Sequence, residues 1–248
     1  MNVLITGAAS PLGQALADRL ASQHRLRLLD RVAAPAPEKA EAFVGDLLDP
    51  ASVWQAVRGM QAVIHTAAPP PDLPGPGLAR DQALLELATR GTHVLASAMV
   101  EAGIRRLVYA GTLAIFRAYA DDVYITENWK PLPGTDMEVM SNYLGELGCR
   151  EFAMAHRLTA TAVRLGTLVL EEDVLGQPPD LAWLDLRDAA QAFEGPLAID
   201  NSDEVNWVRR WSVVHVCADL GHPKYLIDVA RRHGFRPEHN FRAHWQAA

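Results

Sequence analysis

Short apolar runs alternate along the chain with longer stretches in which apolar residues recur every third or fourth position. The runs are NVLIT (2–6), RLRLLD (25–30), EAFVGD (41–46), AVIHTA (62–67), RLVYAGT (106–112) and TATAVRLG (159–166). Each has the length of a strand, and a largely apolar run suits burial on both faces of a parallel sheet. Between them, residues 11–23, 50–60, 79–103 and 134–157 carry the helical period and predict crossover helices. The alternation predicts a doubly wound α/β fold. Beyond residue 168 the period weakens into short pieces, among them DLRDAAQAFEGPLA, RRWSVVHVCAD and PKYLIDVARRHG. These predict a small C-terminal α/β lobe (168–248) packed on the main core (1–167), the whole forming a single domain with no hinge-like linker and no internal repeat. The loop PPPDLPGPG (69–77) is too rich in proline to extend either neighbour, and it falls just past the fourth expected strand, where ligands of such sheets lie. It reads equally well as a rigid connector or as the border of a site.

Composition narrows the function classes. A chain of 248 residues, about half apolar, can bury a sizeable core. Its net charge of −7 disfavours a nucleic-acid partner, since binding the phosphate backbone depends on clustered Lys and Arg. Lys39, Lys130 and Lys224 are the only lysines, so a mechanism that needs a buried lysine has few candidates. Cys149 and Cys217 have no metal-type spacing and are expected as packed, unpaired thiols of a reducing compartment, which with the absence of a basic leader or a long apolar run predicts a cytoplasmic protein without a membrane segment.

The candidate chemistry begins at TGAASPLG (6–13), which follows the first strand and opens the first helix. Gly7 suits the tight turn, Gly13 lets helix and strand approach, and the amides around Ser10, Pro11 and Leu12 are placed to hold a pyrophosphate. Asp30, 23 residues beyond Gly7, closes the second strand where a carboxylate accepts from both hydroxyls of an adenosine ribose. That carboxylate would repel a 2′-phosphate and favours NAD, while Arg31 beside it leaves NADP open.

These residues resemble an extended short-chain dehydrogenase/reductase of the NAD-dependent epimerase/dehydratase group, over roughly residues 1–195, and the short tail suits the uronate dehydrogenase-like branch. The resemblance implies a Rossmann core and homodimerisation through the helices at 79–103 and 134–157. Where the family shows a middle glycine in its phosphate loop, this chain has Ser10. The resemblance places Asp46 and Leu47 at the adenine, and Thr66, Ala67 and Ala68 beneath the dinucleotide. It places Thr112 as the residue that orients the substrate and Tyr143 as the proton carrier, the latter also beside the cofactor. A tyrosine, with an ordinary pKa of about 10, needs a nearby cation to act near neutrality, and relatives supply a lysine four residues on. Here that residue is Leu147, and Ala88 stands where relatives carry a supporting Asn. Arg150, at i+7, is a remote substitute and reads first as a solvated helix-face residue.

On the substrate side, YITENWKPLPG (124–134) resembles the segment that lines the sugar pocket, with Glu127, Asn128 and Trp129 toward sugar hydroxyls, and reads equally as a surface loop. Arg164 and Arg187 are candidate carboxylate contacts and, more simply, ion-pair partners. His215, His222, His233, His239 and His244 match no zinc pattern, Trp207 and Trp211 read as packing residues, and no Gly-x-Ser-x-Gly elbow is present. No metal is expected. Three functions follow: an NAD-linked oxidoreductase or epimerase acting on a sugar, a sugar acid or a related polyol, a catalytically silent dinucleotide-binding protein, and a redox-neutral lyase or isomerase on the same scaffold.

Overall fold

The computed structural model describes residues 1–70 and 72–245, with side chains through residue 243, so Pro71 of the proline loop and the His244 side chain lie outside the described residues. The main chain runs β1 (Asn2–Thr6), α1 (Pro11–Leu20), β2 (Arg25–Asp30), β3 (Ala40–Val44), α2 (Pro50–Val57), β4 (Ala62–His65), α3 (Leu78–Glu86), α4 (Thr92–Glu101), β5 (Arg106–Thr112), α5 (Met137–Ala155) and β6 (Thr159–Leu165). The expected strands are all present, within a few residues of the bounds set by the apolar runs. The tail contributes β7 (Thr167–Val169), β8 (Trp183–Asp185), α6 (Leu186–Gln191), α7 (Glu194–Ala198), β9 (Trp211–Val216), α8 (Asp228–Arg232) and α9 (Arg242–Trp245).

Seven strands form one parallel sheet in the order β3-β2-β1-β4-β5-β6-β9, and β7 pairs with β8 separately. This is the doubly wound Rossmann plan. The order reverses direction between β1 and β4, which opens a crevice at their carboxyl ends. β1, β4 and β6 are buried along nearly their whole length, because helices cover both faces: one apolar cluster unites α1, α6 and the sheet, and another unites α2, α4, α5 and the opposite face. The segment RRWSVVHV, expected in a small lobe packed on the main core, supplies the seventh strand of the main sheet through parallel pairing of β9 with β6. The tail also holds the loop before α5: the Ile125 N–H donates to Lys224 O at 2.7 Å and the Leu226 N–H to Ile125 O at 3.0 Å.

The single long helix expected over 79–103 is interrupted. A π-helical turn at Leu87–Gly91 separates α3 from α4. It lies against α5 at Gly145, where an added Cβ would stand 3.1 Å from the Ala88 carbonyl and 2.4 Å from the Tyr109 hydroxyl. An extra residue in one turn re-aims the side chains that follow, and such turns occur often beside functional sites.

Candidate active site

At the switch point the phosphate loop is built as a cradle. Gly7 has φ +64°, and a Cβ there would meet Thr66 Oγ1 at 2.2 Å; a Cβ on Gly13 would meet the Gly7 carbonyl at 2.4 Å. Both positions therefore require glycine. Ser10 caps α1: its hydroxyl donates to Gly7 O at 2.7 Å and accepts from the Gly13 N–H at 3.1 Å. The side chain at the family's middle-glycine position is thus spent on holding the turn. With no N–H on Pro11 and that of Gly13 capped, the helix start offers the Leu12 N–H to an anion. Thr66 braces the loop from β4, donating to Thr6 O at 2.8 Å and accepting from the Ala68 N–H at 3.3 Å.

A groove of about 920 Å³ runs from this loop along the sheet's carboxyl edge, bordered by Ser10, Pro11, Leu12, Asp30, Thr66 and Ala68 and continuing to Thr112 and Leu165. A small pocket of about 30 Å³ extends it past Gly7 and Asp30 to Arg31, Asp46 and Leu47. Ala67 borders both, in a left-handed conformation with φ 53°. Asp30 accepts from the Ala9 N–H at 2.9 Å and the Arg31 N–H at 2.7 Å, which fixes its carboxylate at the end of β2. Arg31 pairs with Asp72 at 2.8 Å and lies 3.7 Å from Asp46. Its charge is engaged by two carboxylates, the arrangement expected beside a ribose diol rather than a 2′-phosphate.

A second cavity, of about 290 Å³, adjoins the groove where Ala67, Pro69, Thr112 and Asn142 border both. Thr112 ends β5, and its Oγ accepts from the Ala114 N–H at 3.1 Å, which leaves its own hydrogen free to donate. Asn142 donates to Ala110 O at 3.0 Å, while its buried Oδ1 has no partner. The rest of α5 that reaches this cavity is Glu138, Val139 and Ser141, with Asp136 at the N-cap. Glu138 forms an ion pair with Arg80 of α3. His65, at the cavity's floor, is held between Thr6 and Thr92 by bonds of 2.7 and 3.1 Å, and burial lowers its pKa to about 4.

Several side chains that the sequence nominated lie elsewhere. Tyr143 lines neither cavity; it packs against the apolar cluster that includes Phe116, and burial, helped by Glu146, raises its pKa against the smaller opposing effects of Arg164 and Arg150. This is opposite to the shift a phenolic proton carrier needs. The turn of α5 beside Thr112 instead presents Glu138 and Asn142, four residues apart and both on the cavity. Leu147 has no bearing on that face, Ala88 does line the cavity, and Arg150 pairs with neighbouring Glu151 at 2.7 Å.

The expected sugar contacts also move. Glu127 accepts from the His215 N–H at 3.2 Å, and burial raises its pKa; Trp129 stands edge-on to Tyr119. Neither borders the groove or the cavity beside Thr112. Arg164 is buried and forked onto buried Glu146, with bonds of 3.0 and 2.6 Å, and Arg187 is engaged by Asp185 and Glu172. The residues that sequence reasoning missed are Glu138, Asn142 and Arg117. The available signal was the stripe of small residues Ser141, Gly145 and Cys149, which marks the buried face of α5.

A glycine-built phosphate cradle, an acidic residue closing β2, and a cavity meeting the groove at Thr112 define a dinucleotide-dependent enzyme of the doubly wound class. The chain belongs to the NAD dependent epimerase/dehydratase family, whose model matches residues 3–199. It is 28% identical over 261 residues to the NAD-dependent glucose-6-phosphate dehydrogenase of Haloferax volcanii, covering 96% of this chain and 93% of that protein. Among solved structures, uronate dehydrogenase from Agrobacterium tumefaciens matches with a TM-score of 0.78 at 21% identity, over 99% of this chain and 87% of that one. The structure of MoeE5 in complex with UDP-glucuronic acid and NAD matches with a TM-score of 0.77 at 19% identity, over 98% and 97%. At these identities the structural likeness is one of fold. NAD is the cofactor, and the glycines, Asp30 and the engaged Arg31 fit it.

Proposed function

We propose that this protein is an NAD-linked oxidoreductase that acts on a sugar or a related polyol in the smaller cavity. The observation that carries the reading is the shared wall: Thr112 and Asn142 border both the dinucleotide groove and the cavity, so a ligand in one meets a ligand in the other. The cavity is small, with polar and apolar residues sharing its wall, the size of a single sugar ring rather than a nucleotide sugar. The sugar-phosphate dehydrogenase of Haloferax volcanii, matched along nearly its whole length, supports the same substrate class.

Bound NAD⁺ supplies a hydride acceptor. Thr112 donates to the reacting oxygen and sets its orientation, its hydroxyl steadied by the Ala114 N–H on one lone pair and its hydrogen free. Asn142 walls the junction, its amide N–H held by Ala110 O and its carbonyl oxygen buried. Glu138, steadied by Arg80, is the group on the cavity that takes the hydroxyl proton as the alcohol becomes a carbonyl. This reading moves the proton step from Tyr143 to a carboxylate one and a half turns earlier on α5.

A second reading, a dinucleotide-binding protein without turnover, is favoured by a separate feature: no phenol or lysine stands beside Thr112 among the described residues lining the cavity. Incubation with NAD and a panel of aldoses, uronates and sugar phosphates, followed by NADH absorbance, separates the two. Turnover supports the oxidoreductase; thermal stabilisation by NAD with no NADH from any sugar supports the silent binder.

A further inference from the structure

We propose that Arg117 recognises an anionic group on the substrate, so that the sugar or polyol held in the smaller cavity carries a carboxylate or a phosphate. The proposal rests on the oxidoreductase reading of that cavity and names the substrate class within it.

Among the described residues that line the groove and the cavity, Arg117 is the one Lys or Arg side chain. It follows the 3₁₀ turn Leu113–Phe116, which begins at Thr112, and its root is fixed by an N–H bond to Ala114 O at 3.1 Å. The guanidinium makes no ion pair or hydrogen bond among the described residues. Arg31, beside the dinucleotide groove, is by contrast engaged by Asp46 and Asp72, and Arg80 by Glu138.

The carboxylates that share the cavity are committed elsewhere. Asp136 accepts from the N–H groups of Glu138 and Val139 at 2.9 and 3.3 Å as the cap of α5, and Glu138 is paired with Arg80. Nothing acidic has claimed Arg117. The two arginines that the sequence nominated for a substrate carboxylate are spent, Arg164 on Glu146 and Arg187 on Asp185 and Glu172. In a chain of net charge −7, an anionic substrate would be repelled from most surfaces, and a forked cation at the cavity is the group that both attracts it and fixes its orientation. A neutral sugar would leave the fork to solvent. Its position five residues past Thr112 anchors the far end of a ligand whose reacting oxygen meets the Thr112 hydroxyl.

The test compares glucuronate, glucose 6-phosphate and glucose as substrates with NAD, for the unmodified chain and for Arg117→Met and Arg117→Lys. Arg117 is exposed, so neither change threatens folding. One of the two anionic sugars is expected to have a KM about tenfold or more below that of glucose, and its identity separates carboxylate from phosphate. Arg117→Met is expected to raise that KM about tenfold to a hundredfold, with a smaller effect on kcat, and to bring the anionic and neutral sugars close together. Arg117→Lys is expected to recover part of the preference, keeping charge without the fork. Thermal stabilisation by the same sugars at saturating NAD gives a readout that needs no turnover.

Equal KM and equal stabilisation for glucose and both anions would overturn the proposal, as would an anion preference that survives Arg117→Met. Turnover of neutral sugars without anion preference sinks this inference alone. Anion-dependent stabilisation that requires Arg117, with no NADH from any sugar, sinks the oxidoreductase reading and keeps the anion site. Neither stabilisation nor turnover with any sugar would remove both.

Discussion

Arg164→Met separates a buried structural cation from a substrate contact. Arg164 and Glu146 are both nearly inaccessible, with side-chain exposures of 5% and 3%, and their forked pair lies directly behind Gly111, where an added Cβ would stand 3.0 Å from Glu146 Oε2. Arg164 also lies over the Phe116 ring and within 3.4 Å of His215 Nε2. Removing the arginine leaves an uncompensated carboxylate in the core, a change that costs about 3–5 kcal/mol when one partner of a buried pair is lost. For a chain of this size that corresponds to a fall in Tm of about 6–20 °C. Urea unfolding followed by tryptophan fluorescence measures the loss. Because a neutral amide is cheaper to bury than an unpaired carboxylate, Arg164→Met combined with Glu146→Gln is expected to recover part of the lost stability. If Arg164→Met keeps full stability and instead weakens sugar binding, the pair is not structural and the assignment of Arg164 to the core is refuted.

Three further outcomes follow from the cradle and its supports. Gly7→Ala forces a side chain into a left-handed conformation and against Thr66, and is expected to cost about 2 kcal/mol or more in urea unfolding and to weaken NAD binding measured by calorimetry. Asp72→Ala frees Arg31 from its closer partner and is expected to shift the NADP-to-NAD affinity ratio toward NADP by up to about fivefold; an unchanged ratio would mean that Arg31 does not reach the ribose. His65 has a folded pKa lowered from 6.5 to about 4, so the unfolded chain binds its proton first: this contribution to stability is complete above pH 6.5 and is lost as the pH falls toward 4, by about 3 kcal/mol, a slope that His65→Gln is expected to remove.

The sheet was legible because its strands are buried on both faces, so that the apolar runs coincide with β1, β2, β5 and β6. The phosphate loop was equally legible, since the demand for glycine at Gly7 and Gly13 is local. What the sequence could not show is which turn of α5 faces the cavity. Tyr143 and Leu147, four residues apart, look like a functional face, yet the tight approach of α5 to Tyr109 and Ala88 buries the small residues Ser141, Gly145 and Cys149, and it is Glu138, Val139, Ser141 and Asn142 that reach the cavity. Tyr143 is thereby left against the apolar cluster that α1 and α6 share with the sheet. The engagement of Arg164 was hidden for a related reason: its partner is 18 residues away on another element, and only packing reveals that the fork is closed. That β9 joins the main sheet was not legible, because its run is bounded by arginines and tryptophan and pairing with β6 is a long-range event that local pattern does not encode.

The most direct measurement is the single-turnover rate of NADH formation by Tyr143→Phe and by Glu138→Gln, each saturated with NAD and the best anionic sugar. The expected result is that Tyr143→Phe stays within about threefold of the unmodified chain while Glu138→Gln falls by about a hundredfold or more, the range of a lost general base. A collapse of the Tyr143→Phe rate with Glu138→Gln near normal would put the phenol back at the reacting oxygen and contradict the assignment of the cavity.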